Sequence, residues 1–202
     1  MKRPWELNPL LSKEKLKKLA GLLYEVRNSV VDLHDGDLGD TARGTGLRAY
    51  ECCRTNILRA SASKGEWSWL GIIKPDGRFT FSIDSVPVRF YRGSPDNPQE
   101  RRMIPCEAAM RQMELLSADI GDIASIQWFI AIEVDENRYA ERVTFTGYDN
   151  GMQVSCWEVP LDVKPTALAG VTEQLPEPVK IKKARVSVKR KDKNKDAQND
   201  GQ

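Results

Sequence analysis

His34 and Asp35 stand side by side in a chain of 202 residues that has a single histidine. Such a dyad opens many metal-dependent phosphohydrolase sites. That chemistry needs further imidazoles to hold its metals, and none is available. The same scarcity limits every His-assisted nucleophile to His34, and no serine stands in a GxSxG turn. Asp35, Asp37 and Asp40 are candidates for a Mg²⁺ or Ca²⁺ site, because hard cations take several convergent oxygens. A calcium loop starting at Asp35 would need its closing acid where Gly46 stands. The three acids therefore read as a solvated cluster. Gly36, Gly39, Gly44 and Gly46 follow no strand and fit neither a P-loop nor a GxGxxG turn. Cys52, Cys53, Cys106 and Cys156 contain no CxxC pair, and the adjacent two are badly placed to bridge each other. They read as reduced thiols packed as small hydrophobes in a reducing compartment. No catalytic residue, metal ligand or cofactor is expected.

Arginine next to aromatic residues remains as candidate chemistry. Arg78, Arg89 and Tyr91 share one strand face in the register derived below, and Arg92, Arg101 and Arg102 lie just beyond. Arg48 and Arg59 belong to the preceding helix. Guanidinium groups bind phosphate bidentately, and a tyrosine ring can stack on a base. This constellation is a candidate nucleic-acid surface. Lys182, Lys183, Arg185, Lys189, Arg190 and Lys191, near the C-terminus, are candidates for the same partner.

The elements that must position these residues follow from periodicity. Residues 1–12, with Pro4 and Pro9, read as an irregular arm with Trp5 packed on the body. Ser12 is a plausible N-cap, and Leu16, Leu19, Leu23, Val26, Val30 and Leu33 recur every three or four residues, which predicts a helix over 13–33. Residues 34–46 read as a loop. A second helix is expected over 46–62 and another over 106–118. Strands are expected over 67–73, 78–83 and 86–91, then over 126–134, 139–147 and 152–159. If Asp84-Ser85 is a two-residue loop, Ile83 faces Val86, Phe81 faces Val88 and Phe79 faces Phe90. Every apolar side chain of that hairpin then lies on one face. Asn150-Gly151 is a strong type I′ turn signal. The predicted class is α+β: two N-terminal helices, then two three-strand antiparallel meanders separated by a helix. The whole spans one domain over 13–160, with helices on one face of the sheet.

The order helix 46–62, three strands, helix 106–118, strand 126–134 resembles the core order of PD-(D/E)xK nucleases, and Pro75-Asp76 supplies a "PD". The resemblance implies Mg²⁺ held by two acids with a lysine nearby. The third strand, Val86 to Tyr91, carries neither the second acid nor the lysine. Glu51 and Asp84 would have to complete the site, with Lys74 or Arg89 in the lysine's place. Arginine stays protonated and is a poor base.

Charge divides the chain. Residues 175–202 hold nine Lys/Arg and four acids, net +5, which leaves the rest with 22 basic and 25 acidic residues, net −3. Residues 161–202 are expected to be a linker and disordered basic tail, because few apolar side chains there offset the ordering entropy. A basic tail attracts polyanions without sequence specificity, and its interleaved acids keep that attraction weak. No apolar run is long enough for a bilayer and no signal-peptide pattern opens the chain, so a cytoplasmic location and no membrane partner are expected. The first functional expectation is a non-enzymatic accessory protein that associates weakly with nucleic acid. The alternatives are a protein-interaction module, such as a subunit or regulator in a larger bacterial or phage assembly, and a divergent or inactive PD-(D/E)xK-like nuclease.

Overall fold

The computed structural model describes residues 1–63, 65–96, 98, 103–120 and 125–161, with the side chains of 118–120 excepted. Ser12 and Thr41 set the two long helices. The Ser12 hydroxyl accepts the Lys15 amide proton at 3.3 Å and starts α2, Lys13–Asp32. The Thr41 hydroxyl accepts from the Gly44 amide at 3.1 Å and starts α3, Ala42–Ala62. A short helix, α1, spans Pro4–Leu7. The loop between α2 and α3 is thus shorter than the glycines at 44 and 46 suggest, because one good N-cap outweighs two poor helix formers. The two helices run antiparallel: Arg48 reaches the carbonyls of Leu33 and Val30, while Cys53 lies against that of Leu23.

The remaining elements are β1 (Leu70–Lys74), β2 (Thr80–Ile83), β3 (Val86–Arg92), α4 (Glu107–Ile120), β4 (Gln127–Val134), β5 (Ala140–Asp149) and β6 (Met152–Glu158). All six strands form one mixed sheet in sequence order. Phe81 pairs with Val88 and Ile83 with Val86, as the alternation predicts. Asp84 and Ser85 both take positive φ, 44° and 74°, so a loop without glycine still makes the two-residue turn. Asn150 and Gly151 do the same between β5 and β6.

The two meanders join through β3 and β4, which pair parallel, Val88 opposite Trp128 and Arg92 opposite Ile132. Parallel neighbours need a crossover, and α4 provides it. The helices consequently lie on both faces of the sheet, not on one. On one face Phe81, Ile83, Val88, Ile130 and Phe145 pack with Leu16, Leu19, Leu23 and Ile57 of α2 and α3. Each such side chain contributes about 1.5–3 kcal/mol on full burial. On the other face α4 brings Ala109 and Met113 against Thr80, Pro87 and Phe129. Beyond α4, the segment after β3 covers that face: Tyr148 Oη donates to the Pro95 carbonyl, and Gln153 Nε2 donates to the same oxygen at 3.2 Å.

Two edges differ from expectation. The N-terminal arm contains the one-turn α1, whose Trp5 meets Trp157 edge-on at 4.8 Å, while Lys2 bridges to Ser155. The first strand begins at Leu70, because Trp67, Ser68 and Trp69 belong to a turn closed by a 2.8 Å bond from the Leu70 amide to the Trp67 carbonyl. Among the described residues no helix is long and apolar enough to cross a membrane.

Candidate nucleic-acid interface

Of the expected Arg78/Arg89/Tyr91 face, only Arg89 and Tyr91 lie on a strand, β3, while Arg78 stands in the bend before β2, which starts at Thr80 and not at residue 78. Tyr91 is buried and donates to the Ser94 carbonyl at 3.2 Å. Arg78 and Arg89 each donate to the carbonyl of Ile104, at 3.3 and 3.2 Å, and so hold the segment before α4 against the sheet. Arg89 also lies over the Phe129 ring, 5.9 Å from its centroid. Arg48 faces inward to the end of α2 and to Asp40 at 3.1 Å, while Arg59 is exposed in the last turn of α3. Arg101, Arg102, Lys182, Lys183, Arg185, Lys189, Arg190 and Lys191 lie outside the described residues.

The structure instead brings part of the set to a cleft of about 630 Å³ between the start of α3 and the end of β3. Arg89, Tyr91 and Arg92 line it from β3, and Arg43, Leu47 and Tyr50 line it from α3, with Phe90 and Phe129 in the wall. Among the described residues no carboxylate lines it. Tyr50 stacks on Phe90 at 5.0 Å between centroids, and burial, then the nearby Glu51, pushes its phenol above the usual range. Arg92 is exposed and lies over Gly46, where a Cβ would stand 3.1 Å from the Arg92 Nη1. Gly46 therefore lets the guanidinium rest on the helix. Arg43 and Tyr50 were not among the sequence candidates. Thr41 was the available signal, since a helix capped there carries Arg43 on its first turn.

Arg27 of α2 is 4 % exposed. One of its terminal nitrogens donates to the Arg138 carbonyl at 3.1 Å, and among the described residues its Nε has no partner. No described carboxylate pairs with it. Burial lowers its pKa, and repulsion from Arg92 lowers it further.

His34 is held by both ring nitrogens. Thr45 Oγ1 donates to the Thr41 carbonyl at 3.1 Å, so it accepts from His34 Nδ1 at 2.8 Å. His34 Nε2 must then accept from Arg138 Nη1, at 3.2 Å. A histidine so engaged is a clamp between α3 and the β4–β5 connection. Asp40, held below the usual carboxylate range by the Asp35 amide and then by Arg48, belongs to the same loop. Among the described residues no three His, Cys, Asp or Glu side chains gather as metal ligands.

The acids that a nuclease would need do not meet. Glu51 and Asp76 both pair with Arg54, at 2.8 and 3.2 Å. Asp84 pairs with Lys15 at the opposite end of β1, since Leu70 pairs with Ile83 there and Lys74 with Thr80 at the Asp76 end. Four strand intervals, about 13 Å, separate the two ends. Exposed Trp67, Trp69 or Phe129 would support a protein-interaction module, yet Phe129 is buried and the two tryptophans are half-buried. Trp67 and Trp69 lie under Lys18 and Lys15.

The chain matches no protein-family model, no curated protein and no solved structure.

Proposed function

We propose that this chain is a non-enzymatic accessory protein that binds single-stranded nucleic acid, with the α3–β3 cleft as the contact on its folded part and the lysine-rich C-terminal residues adding unspecific attraction. The observation that carries the reading is the cleft's lining: three arginines, two tyrosines and two phenylalanines, with no carboxylate among the described residues. Arginine supplies phosphate contacts, and a half-buried tyrosine such as Tyr50 offers a ring face to a base. The body's net −3 argues against contact spread over its whole surface, so a local cationic site is the form that folded-state binding would take.

The test is fluorescence anisotropy with short single-stranded DNA and RNA at low and at physiological salt. Arg43→Ala with Arg92→Ala should weaken binding to every sequence alike and flatten the salt dependence by about 0.7 per lost phosphate contact. No binding at low salt, or an unchanged affinity in the double variant, would remove the proposal.

A second reading, a protein-interaction module, draws on Leu33 and Leu38, which are 71 % and 85 % exposed on the α2–α3 connection. Large exposed leucines on one short connection suit a partner's apolar side chains. Leu38→Lys should leave nucleic-acid binding intact and abolish capture of a defined protein partner if this reading holds.

A further inference from the structure

His34 ties together two parts of the fold that are distant in the chain, and it does so in one protonation state. Its Nδ1 donates to Thr45 Oγ1 at 2.8 Å, because the Thr45 hydroxyl proton goes to the Thr41 carbonyl. Its Nε2 accepts from Arg138 Nη1 at 3.2 Å, because a guanidinium has no acceptor to offer. Both contacts need the neutral ring with its proton on Nδ1. A proton added at Nε2 turns that acceptor into a donor and sets an imidazolium against a guanidinium. The side chain is 26 % exposed, so solvent protons reach it.

The other charges around the ring decide which contact gives way. Asp40 lies 3.8 Å from Nδ1 and attracts an imidazolium whether or not Arg138 is present. Arg48 of α3 sits on Asp40 at 3.1 Å and on the Leu33 carbonyl. Asp35 turns its carboxylate to the amides of Asp37 and Leu38. On the Nε2 side, Arg27 of α2 donates to the Arg138 carbonyl at 3.1 Å, Tyr139 Oη donates to Asp32, and Asp135 accepts from the Tyr139 amide. The Nδ1 side gains from the added proton and the Nε2 side loses. Arg138 is also ready to move. Its φ of 74° is a left-handed conformation that a residue with a Cβ keeps only where its surroundings enforce it. The His34 contact enforces it together with the Arg27 bond and a 3.0 Å bond from the Arg138 amide to the Asp135 carbonyl.

We infer that His34 is a proton-operated latch: the neutral ring fastens the first turns of α3 to the β4–β5 connection, and acidification opens the Arg138 end and loosens the α3 wall of the cleft. The effect on binding rests on the nucleic-acid reading of the cleft, and the latch itself does not. Thr45 stands between Gly44 and Gly46, two poor helix formers, so this part of α3 depends on holds from outside itself. Arg43 and Gly46, beside it, line the cleft. The sign follows from linkage. The open form binds the extra proton, so the latch is closed near the upper end of the range in which histidines titrate, about pH 8, and opens toward about pH 5. His34 is a positioning residue and does not contact the strand.

The chain has one histidine, so nitrogen NMR of the full chain reads its ring without overlap. At about pH 8 the ring should be the Nδ1–H tautomer. As the ring titrates, the φ of Arg138, read from its amide-to-α-proton coupling, should leave the left-handed value. In His34→Gln, whose amide keeps a donor and an acceptor and takes no proton, that coupling should stay constant. Arg138→Gly makes the comparison from the other partner, since it keeps the left-handed φ without strain and lacks the guanidinium. The binding probe is oligothymidine, whose bases take no proton in this range. The parent should bind it about three- to ten-fold more weakly at about pH 5.5 than at about pH 7.5, which corresponds to one lost hydrogen bond. His34→Gln should bind alike at both. Arg138→Gly should bind at both as the parent does at the lower pH.

An Nε2–H tautomer in the neutral ring, or an Arg138 coupling that does not follow the ring's titration, overturns the latch. Equal binding by the parent at the two pH values, or an equal loss in His34→Gln, overturns its reach to the cleft. If oligothymidine does not bind at all, the nucleic-acid reading fails by itself, and the NMR titration alone supports or removes the latch.

Discussion

Arg78, in the bend before β2, and Arg89 of β3 end on one oxygen, the carbonyl of Ile104, at 3.3 and 3.2 Å. Two guanidinium groups on one acceptor make a tether between the sheet and the segment that enters α4. They also explain why an arginine-rich strand face is not simply an open surface. Part of each fork is already used by the fold, and of the two only Arg89 also lines the cleft.

The tether predicts unequal effects on stability. Arg78→Ala should cost about 0.5–1.5 kcal/mol in urea unfolding, since Arg89 still supplies a donor to the carbonyl. Arg78→Ala with Arg89→Ala should cost more than the two single losses combined, because only then does the carbonyl lose both donors. Strict additivity would show that the shared acceptor is not a coupled unit. For binding, Arg78→Ala should change single-strand affinity by less than about two-fold, whereas Arg43→Ala should weaken it by more.

Much of this fold was legible from side-chain alternation, and what was missed has a physical reason. Phe81, Ile83, Val86 and Val88 alternate so regularly around Asp84-Ser85 that the hairpin register follows from them alone. The parallel β3–β4 joint does not follow from local pattern, because no turn links the two strands and loop-closing pairs leave no short-range mark. One sign of it was nonetheless present. Trp128, Phe129, Ile130, Ala131 and Ile132 form an unbroken apolar run, and all five are buried. A strand covered on both faces has that composition, which places a helix on each side of β4's sheet. At the site, Arg89, Tyr91 and Arg92 were visible as candidates from the hairpin. Arg43 was missed because the glycines and aspartates of 34–46 read as a loop, whereas the Thr41 cap starts α3 inside it.

Gly147 tests how tightly the sheet closes on Trp128. A Cβ there would stand 2.7 Å from Trp128 Cζ3, 2.9 Å from Cε3 and 3.0 Å from Ile126 Cγ2. The indole is 2 % exposed and stacked on Phe145, so it has nowhere to move. Gly147→Ala should therefore cost about 1–3 kcal/mol or more by overpacking. Gly71→Ala makes a contrasting case. Its Cβ would stand 2.5 Å from the Ser82 hydroxyl and otherwise meet little. Adding Ser82→Ala should recover the stability lost in Gly71→Ala. Thermal melts of the three variants decide, and a Gly147→Ala melt equal to the parent's would mean that the indole yields.

Cys53 carries a pH dependence with a definite sign. Burial pushes its thiol up to about 12, against an opposing pull from Arg27. The unfolded thiol ionises near its ordinary value of about 8.5. Between these values the unfolded chain has lost the proton that the folded chain keeps, so stability falls as pH rises. The contribution is whole below about pH 8.5 and is lost progressively toward 12; for a shift of this size it is on the order of 5 kcal/mol. Cys53→Ala has a lower stability at neutral pH from its small cavity, but its stability should decline less steeply across that window. Parallel slopes for parent and variant would contradict the assignment. At pH 8 the half-exposed Cys52 should react with a maleimide well before Cys53 does.

Truncation tests whether the C-terminal residues and the cleft contribute separately to the proposed binding. Deleting residues 175–202 removes nine cations and four acids. For a single strand, log affinity changes with log salt by about 0.7 per neutralised phosphate, so the slope should fall by about 3.5 if only net charge counts and by about 6 if every cation counts. A value near the lower figure means that the interleaved acids repel the strand as strongly as the lysines attract it. What survives truncation should still respond to Arg92→Ala and to Tyr50→Leu, because phosphate contact and base stacking belong to the folded part. Full loss of binding on truncation would leave the cleft without a nucleic-acid role, and an unchanged slope would take the C-terminal lysines out of the interaction. The two variants distinguish these cases within one titration series. Arg92→Ala should lower the salt slope, whereas Tyr50→Leu should lower affinity by about 1–3 kcal/mol at every salt concentration and leave the slope alone.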